Sequence, residues 1–369
     1  MKSKITKALP FIILLVAFAI LPLKLSNRSW INLFIIIVIN MVVAVSMRVI
    51  LISGNMSFAH GAFMGVGAYT AGMLALYAGL PLWITIPAGA ILASVVGVIT
   101  GWPFARLKNM YFAMGTMFMG QAIVLLISSW DLAGGAIGLN RIPSLTSGVL
   151  GGISEALEGL EGTAFGFLAL SKPQIGYFFI LLLAVISIAV MYRFEHSRIG
   201  TTLRALSQSE DVAASIGINP TFYRLLAVGV GCFFAGMMGA CQALYMTTLS
   251  YYSYSMSTTL WIIMYMMIGG TGNIVGPMLG AVLITIVTNL SSLLTAISGN
   301  ASHESFVAFS RWVGTNSAYT PFVTSAVLLI VAYLLPGGLY GIPGAVRSAK
   351  AKRLEKKEIA EIQKGGEQK

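Results

Sequence analysis

Residue types that drive chemistry are scarce in this chain and widely scattered. Its three histidines, His60, His196 and His303, stand far apart, and no pair of carboxylates falls inside one apolar stretch. Neither a metal cluster nor a general acid and base can be assembled from that distribution, so no catalytic residue and no metal ligand is expected. Cys232 and Cys241 sit in one apolar run, on different turns of a single helix, which gives neither a disulfide framework nor a metal-ligand spacing. A G-x-x-x-x-G-K-[ST] phosphate loop is also missing. If ATP powers this protein, another subunit binds it with its Mg, and the chain itself binds no cofactor directly.

What remains is a set of neutral polar groups in apolar surroundings. Asn55, Ser57 and His60 precede a run in which Gly61 with Gly65, and Ala68 with Gly72, recur at helical spacing. Two readings stand. The small residues form a seam against a neighbouring helix, or the polar residues line a path at a helix start, whose free amides attract a carboxylate. Asn40 and Gln121 fall near the middle of apolar runs, where each serves as glue between helices or as a ligand contact. The run from Gly269 and Gly270 through Asn273 to Pro277 breaks any helix. Irregular backbone near a membrane survives only against protein or a water-filled cavity, so this break reads as a gate, a cavity rim or a plain tight turn.

The elements that carry these residues follow from composition. The chain has 369 residues, 57% hydrophobic and 9% charged, against about one quarter charged in soluble domains. A water-soluble globule is excluded, and an all-α polytopic membrane bundle is expected. A bilayer core about 30 Å thick takes roughly 20 apolar residues per helix. By that ruler ten transmembrane helices are expected, running about Ala8–Leu23, Trp30–Met47, Gly61–Ala78, Leu82–Trp102, Met110–Trp130, Ile175–Tyr192, Leu225–Thr247, Ser257–Gly270, Ile274–Ser298 and Ala318–Leu335. The eighth is short enough to be broken or re-entrant. Residues 1–336 then form the membrane domain, with an outer loop at 131–174, a cytoplasmic loop at 193–224 and a basic tail at 337–369.

Charge supports that parity. Of the 23 Lys and Arg, only Lys24, Arg28, Arg141, Lys172 and Arg311 fall on one side of the ten-span arrangement. All the others, including Arg48, Arg193, Arg204, Arg224 and the tail, fall on the other, which the positive-inside rule makes cytoplasmic. Both termini are therefore expected in the cytoplasm and the chain in the cytoplasmic (inner) membrane. Ala17, Phe18 and Ala19 fit a signal-peptide cleavage site in form, but the apolar run continues to Leu25, and an uncleaved first helix is preferred. The net charge of +11 serves orientation rather than nucleic acid, since the basic residues lie in short loops and the tail.

The 193–224 loop is far more polar than its surroundings. Within it, Thr201 to Ile218 suits a helix along the interface, with Leu203, Leu206, Val212, Ala213 and Ile216 against Arg204, Gln208, Glu210 and Asp211. Asp211, Val212, Ala213 and Ala214, followed by Gly217, resemble the signature by which importer permeases dock onto their ATPases. That pattern normally begins Glu, Ala, Ala, and its acidic position falls on Asp211 or on Glu210.

Several segments together resemble the permease subunits of branched-chain amino-acid ABC importers, particularly the LivM type. Ser57 to Tyr69 resembles the family's Ser-Leu-Gly-His-Ala-Ala-Phe-Met-Gly-Ile-Gly-Ala-Tyr segment, differing at Phe58, Ala59, Gly61 and Val66. Leu203 to Ile218 resembles its cytoplasmic loop, and Phe233 to Ala240 the helix that follows. Gly269, Gly270, Gly276 and Pro277, with Gly280 and Ala281, give a fourth match. The resemblance implies a homologous second permease, two cytoplasmic ATPase subunits and an extracytoplasmic binding protein that delivers a small-molecule substrate. A zwitterion with an aliphatic side chain needs a mostly apolar passage with a few dipoles, which uncharged spans offer. Relatives of this type also handle urea, short amides or other small polar solutes. A stand-alone carrier or channel is the reading from another class.

Overall fold

A computed structural model describes residues 28–107, 109–146 and 171–289, with positions 152, 322, 325, 326 and 329 as isolated points. The spans expected at Ala8–Leu23 and Ala318–Leu335, the end of the ninth span, the outer-loop Glu155, Glu158 and Glu161, and the basic tail lie outside the described residues.

Ten helices are described: α1 (Arg28–Leu51), α2 (His60–Tyr77), α3 (Leu82–Phe104), α4 (Asn109–Ser128), α5 (Lys172–Glu195), α6 (Arg198–Gln208), α7 (Glu210–Ser215), α8 (Pro220–Met246), α9 (Met256–Gly269) and α10 (Val275–Thr288). Short 3-10 turns join some of them, and among the described residues the only strand-like pairing is an isolated bridge between Leu139 and Leu249. By length and composition α1, α3, α4, α5 and α8 are able to cross a membrane. The fold is thus all-helical and multi-pass. The three helices at the other expected spans, α2, α9 and α10, are shorter or more polar; α9 and α10 have 14 residues each, or about 21 Å of helix at 1.5 Å per residue.

Burial sorts the helices. The most apolar stretch of α1 is 89% buried and that of α4 only 28%, so α1 runs through the middle, packed by α5, α8, α9 and α10, while α4 stands at the rim. Helices apolar all round are what a membrane interior selects. Start signals are local. Ser171 and Gln174 close a capping box on α5, with the Ser171 amide donating to Gln174 Oε1 at 2.8 Å. Asn219 Oδ1 caps α8 by accepting from the Phe222 amide at 3.2 Å, with Pro220 in the first turn.

The tightest packing joins α2, α3 and α8. A Cβ on Gly67 would collide with the Gly236 backbone, one on Gly236 with Ala93, and one on Gly239 with the Met64 carbonyl. Without side chains at these points the backbones close up, and dispersion holds the helices together.

After α8 the chain runs down α2 without a continuous helix. Leu249 meets α2 at Gly72, Tyr254 at Gly65 and Thr259 at Gly61, a descent of about 16 Å along the α2 axis. Extended residues and the 3-10 turn Tyr251–Tyr254 cover most of it before α9 begins. At the expected eighth span the helix is thus short but continuous, and the irregular backbone precedes it.

The expected helix from Thr201 to Ile218 is corrected by the structure to two. Ser209 takes an extended conformation (φ −156°, ψ 110°), and its hydroxyl accepts from the Val212 amide at 3.4 Å, which ends α6 and starts α7. A serine that caps competes with the helix it interrupts.

Candidate functional site

The polar groups at the start of α2 lie inside the protein. Asn55, Ser57 and His60 are each no more than 1% exposed. Ser46 Oγ donates to the Val43 carbonyl at 2.8 Å and lies 2.8 Å from His60 Nε2. His60 Nε2 is thus engaged by Ser46, and Nδ1 is the ring nitrogen left over. That Nδ1, both amide atoms of Asn55, Ser255 Oγ and Tyr69 Oη are buried with no hydrogen-bond partner among the described residues. Ser57 Oγ accepts from the Ala59 amide at 3.4 Å, and Thr259 Oγ1 accepts from the Gly61 amide at 2.9 Å.

These groups follow the non-helical descent. Ser255 and Thr259 pack on Gly61, while the Tyr69 and Tyr254 rings meet edge to face at 6.3 Å. Nine residues of α2 separate His60 from Tyr69, or about 14 Å of helix. The arrangement offers neutral donors and acceptors along nearly half a bilayer core, with irregular backbone on one side, which is tolerated at such depth only against protein or a cavity. Gly61, Gly65 and Gly72 thus face the 249–259 segment, with Ala68 buried between them in sequence, whereas α2 meets the α8 backbone at Gly67.

Asn40 Nδ2 donates to Thr285 Oγ1 at 3.0 Å and to Tyr265 Oη at 3.4 Å, tying α1 to α9 and α10. Gln121 is exposed on α4 and takes no part in the α2 cluster. Gly270 ends α9 at φ +100°, and Asn273 Oδ1 accepts from the Ile274 amide at 2.8 Å. Gly269 and Gly276 pack backbone to backbone across this turn.

Charges gather at one end of the bundle. Buried Arg48 pairs through Nη1 with Glu195 Oε2, and its Nε donates to the Thr271 carbonyl at 3.2 Å. The other carboxylate oxygen of Glu195 takes Arg204 Nη2 at 2.8 Å. Arg224 grips both oxygens of Glu210, at 2.9 and 3.2 Å, and donates to the Ala105 carbonyl at 3.3 Å. Glu210 therefore turns inward on α7, Ala213 is buried beneath it, and Asp211 and Ala214 are exposed together with Val212 and Ile216. Gly217 (φ +86°) closes α7: its amide donates to Ala214 O and that of Ile218 to Ala213 O, a Schellman pair. Sequence reading used Arg48, Arg204 and Arg224 to orient the chain, and Arg204 on the polar face of the expected loop helix, but paired none of them and did not single out Glu195. The one signal for more was Arg48 itself, a charge at the edge of an apolar run.

The class follows from these features: a multi-pass helical membrane protein with neutral polar groups along one interior helix and its buried charges collected at one end. The chain matches the family described as "Branched-chain amino acid transport system / permease component" over residues 29–332, and it belongs to that family. The high-affinity branched-chain amino acid transport system permease protein LivM of Escherichia coli (strain K12) is 27% identical over 287 residues, 76% of this chain and 68% of the relative. LivM of Salmonella typhimurium is 27% identical over 271 residues, covering 72% of this chain and 64% of its own length. LivH of Salmonella typhimurium, a permease protein of the same description, is 24% identical over 300 residues, 79% of this chain and 87% of its own. No solved structure matches the chain.

Proposed function

We propose that this protein is the permease subunit of an ATP-driven ABC importer that moves branched-chain or other hydrophobic amino acids across the cytoplasmic membrane. In this reading it has ten spans and both termini in the cytoplasm. It pairs with a homologous second permease, meets two ATPase subunits that bind ATP and Mg, and receives substrate from an extracytoplasmic binding protein. Family membership supports the permease role, and the names of the LivM and LivH relatives support the substrate class and the pairing.

The observation that carries the coupling is α7. Glu210 anchors it from beneath, while Val212 and Ile216 stand 64% and 72% exposed on its outer side. Two apolar residues held outward on an anchored helix suit a partner's groove. Asp211, Ala214 and Gly217 complete the docking surface. For the passage, the Asn55 amide and the start of α2 serve a substrate carboxylate, and His60 Nδ1 with Asn55 Oδ1 serve an ammonium. Ser57 shapes the helix start. Gly270 and Asn273 form the turn that borders the passage on the loop side. Gln121, exposed on α4, lies apart from this cluster.

The test is purification of the full chain, expressed with its native neighbouring genes, in mild detergent. An ATPase pair should co-purify with wild type, and Val212→Asp with Ile216→Asp should release it without loss of the permease. Failure of any ATPase to accompany wild type, or uptake by the lone chain driven by an ion gradient, would overturn the proposal.

A further inference from the structure

Two ion-pair clamps hold the 197–219 segment, and they differ in kind. Glu210 gives both oxygens to one arginine, Arg224, a bidentate grip that fixes α7 to the start of α8. Glu195 divides its oxygens between two arginines on different elements, Arg48 of α1 and Arg204 of α6. Arg204 Nη2 also reaches the Glu195 carbonyl at 3.1 Å, and Gly200 packs so closely on the Glu195 backbone that no Cβ fits. The end of α5 and α6 therefore move as one piece. Arg48 carries the contact onward, since its Nε holds the Thr271 carbonyl in the turn between α9 and α10.

We propose that Glu195 is a positioning residue that transmits displacement of α6 through Arg48 to the Gly270–Asn273 turn. The chain of contacts is continuous: Arg204, Glu195, Arg48 and the Thr271 carbonyl. Arg48 and Glu195 are each 4% exposed, and burying two charges carries a desolvation cost that neutral packing avoids. A link between separately moving elements gives that burial a use. The receiving end is an exposed turn. Gly270 sits at φ +100°, and Thr271 and Gly272 are exposed. Because Arg48 grips a backbone carbonyl, the turn follows whatever side chains it bears. The inference rests on reading the loop as the ATPase-facing surface, but its test needs only the chain itself.

The full-length Gly272→Cys protein in nanodiscs is labelled with a membrane-impermeant maleimide. Cys232 and Cys241 are buried and add little background. Arg204→Glu sets a carboxylate against Glu195 and should change the labelling rate about twofold to thirtyfold, the range expected of couplings along a packed network. In a Glu195→Gln background the same substitution should have no further effect. A purely structural ion pair would give either no change or the same change in both backgrounds, and either result overturns the proposal. If Arg204→Glu does not yield a monodisperse protein, Arg204→Ala carries the same comparison, because it leaves Glu195 paired with Arg48. Absence of a co-purifying ATPase would remove the importer reading and leave this measurement standing.

Discussion

Glu210 and Asp211 are neighbours of like charge with opposite surroundings. Glu210 holds Arg224, which is 5% exposed, whereas Asp211 is exposed beside Val212. Glu210→Ala leaves a buried guanidinium without its carboxylate, and a melt in detergent should show a loss of about 2–4 kcal/mol, below the full cost of a broken buried pair because Glu210 is itself partly exposed. Asp211→Ala, at an exposed position, should cost less than Glu210→Ala in the same melt, yet it should weaken ATPase co-purification. Gly217 adds a control. A Cβ there meets nothing within 4 Å, so only the left-handed backbone resists substitution, at about 1–2 kcal/mol for most residues and less for Asn. Gly217→Asn should keep the partner bound and Gly217→Val should lose it, read by the same pull-down. The sequence contained the residues of α7 but left its acidic position open. Helix phase decides which carboxylate turns inward, and that phase is set by the Ser209 cap, which a continuous period from Thr201 to Ile218 hides.

At the scale of elements, apolar run lengths located the described helices well. Of the described helices at expected spans, most agree with their sequence bounds within a few residues, because polar, Gly or Pro residues that end an apolar run also end its helix. The α8 start is the widest early departure, at Pro220 rather than Leu225, where Asn219 and Pro220 form a cap in polar sequence that hydropathy does not register. Partner choice was less legible. Spacing in α2 picked out Gly61, Gly65, Ala68 and Gly72 as a seam, but several faces of that helix carry small residues, and periodicity does not say which face meets a helix and which meets the 249–259 segment. Gly67→Ala should therefore destabilise the bundle by about 2 kcal/mol or more, since its Cβ would overlap the Gly236 backbone, which has little room to shift. Gly101→Ala in α3 meets Val228 and Leu225 side chains at 3.5 and 3.6 Å, ordinary contact, and should be neutral or slightly stabilising. Comparing the two by thermal unfolding in one detergent separates close backbone approach from helix propensity.

For the molecule as a whole, the decisive property is polarity along the membrane normal. Arg48, Glu195, Arg204, Glu210 and Arg224, all assigned to the cytoplasmic side by charge, meet in two clusters at one end of the bundle. The opposite end holds the Leu139 and Leu249 bridge, beside Arg141. This grouping supplies an independent reason for the charge bias. Arginines that must find carboxylates in a region of low dielectric cannot be shared between two leaflets, so the ion pairs keep these charges at one end, and the positive-inside rule alone says which side that end faces. Ser215 in α7 and Asn140 in the opposite loop are both exposed. In sealed right-side-out vesicles, Asn140→Cys should react with an impermeant maleimide at once, and Ser215→Cys only after the vesicles are opened. The reverse order would put the ion-paired end outside the cell, where no ATP-hydrolysing partner could reach α7. Equal reactivity of the two positions would mean that charge does not orient this bundle, and the ten-span parity would fall with it.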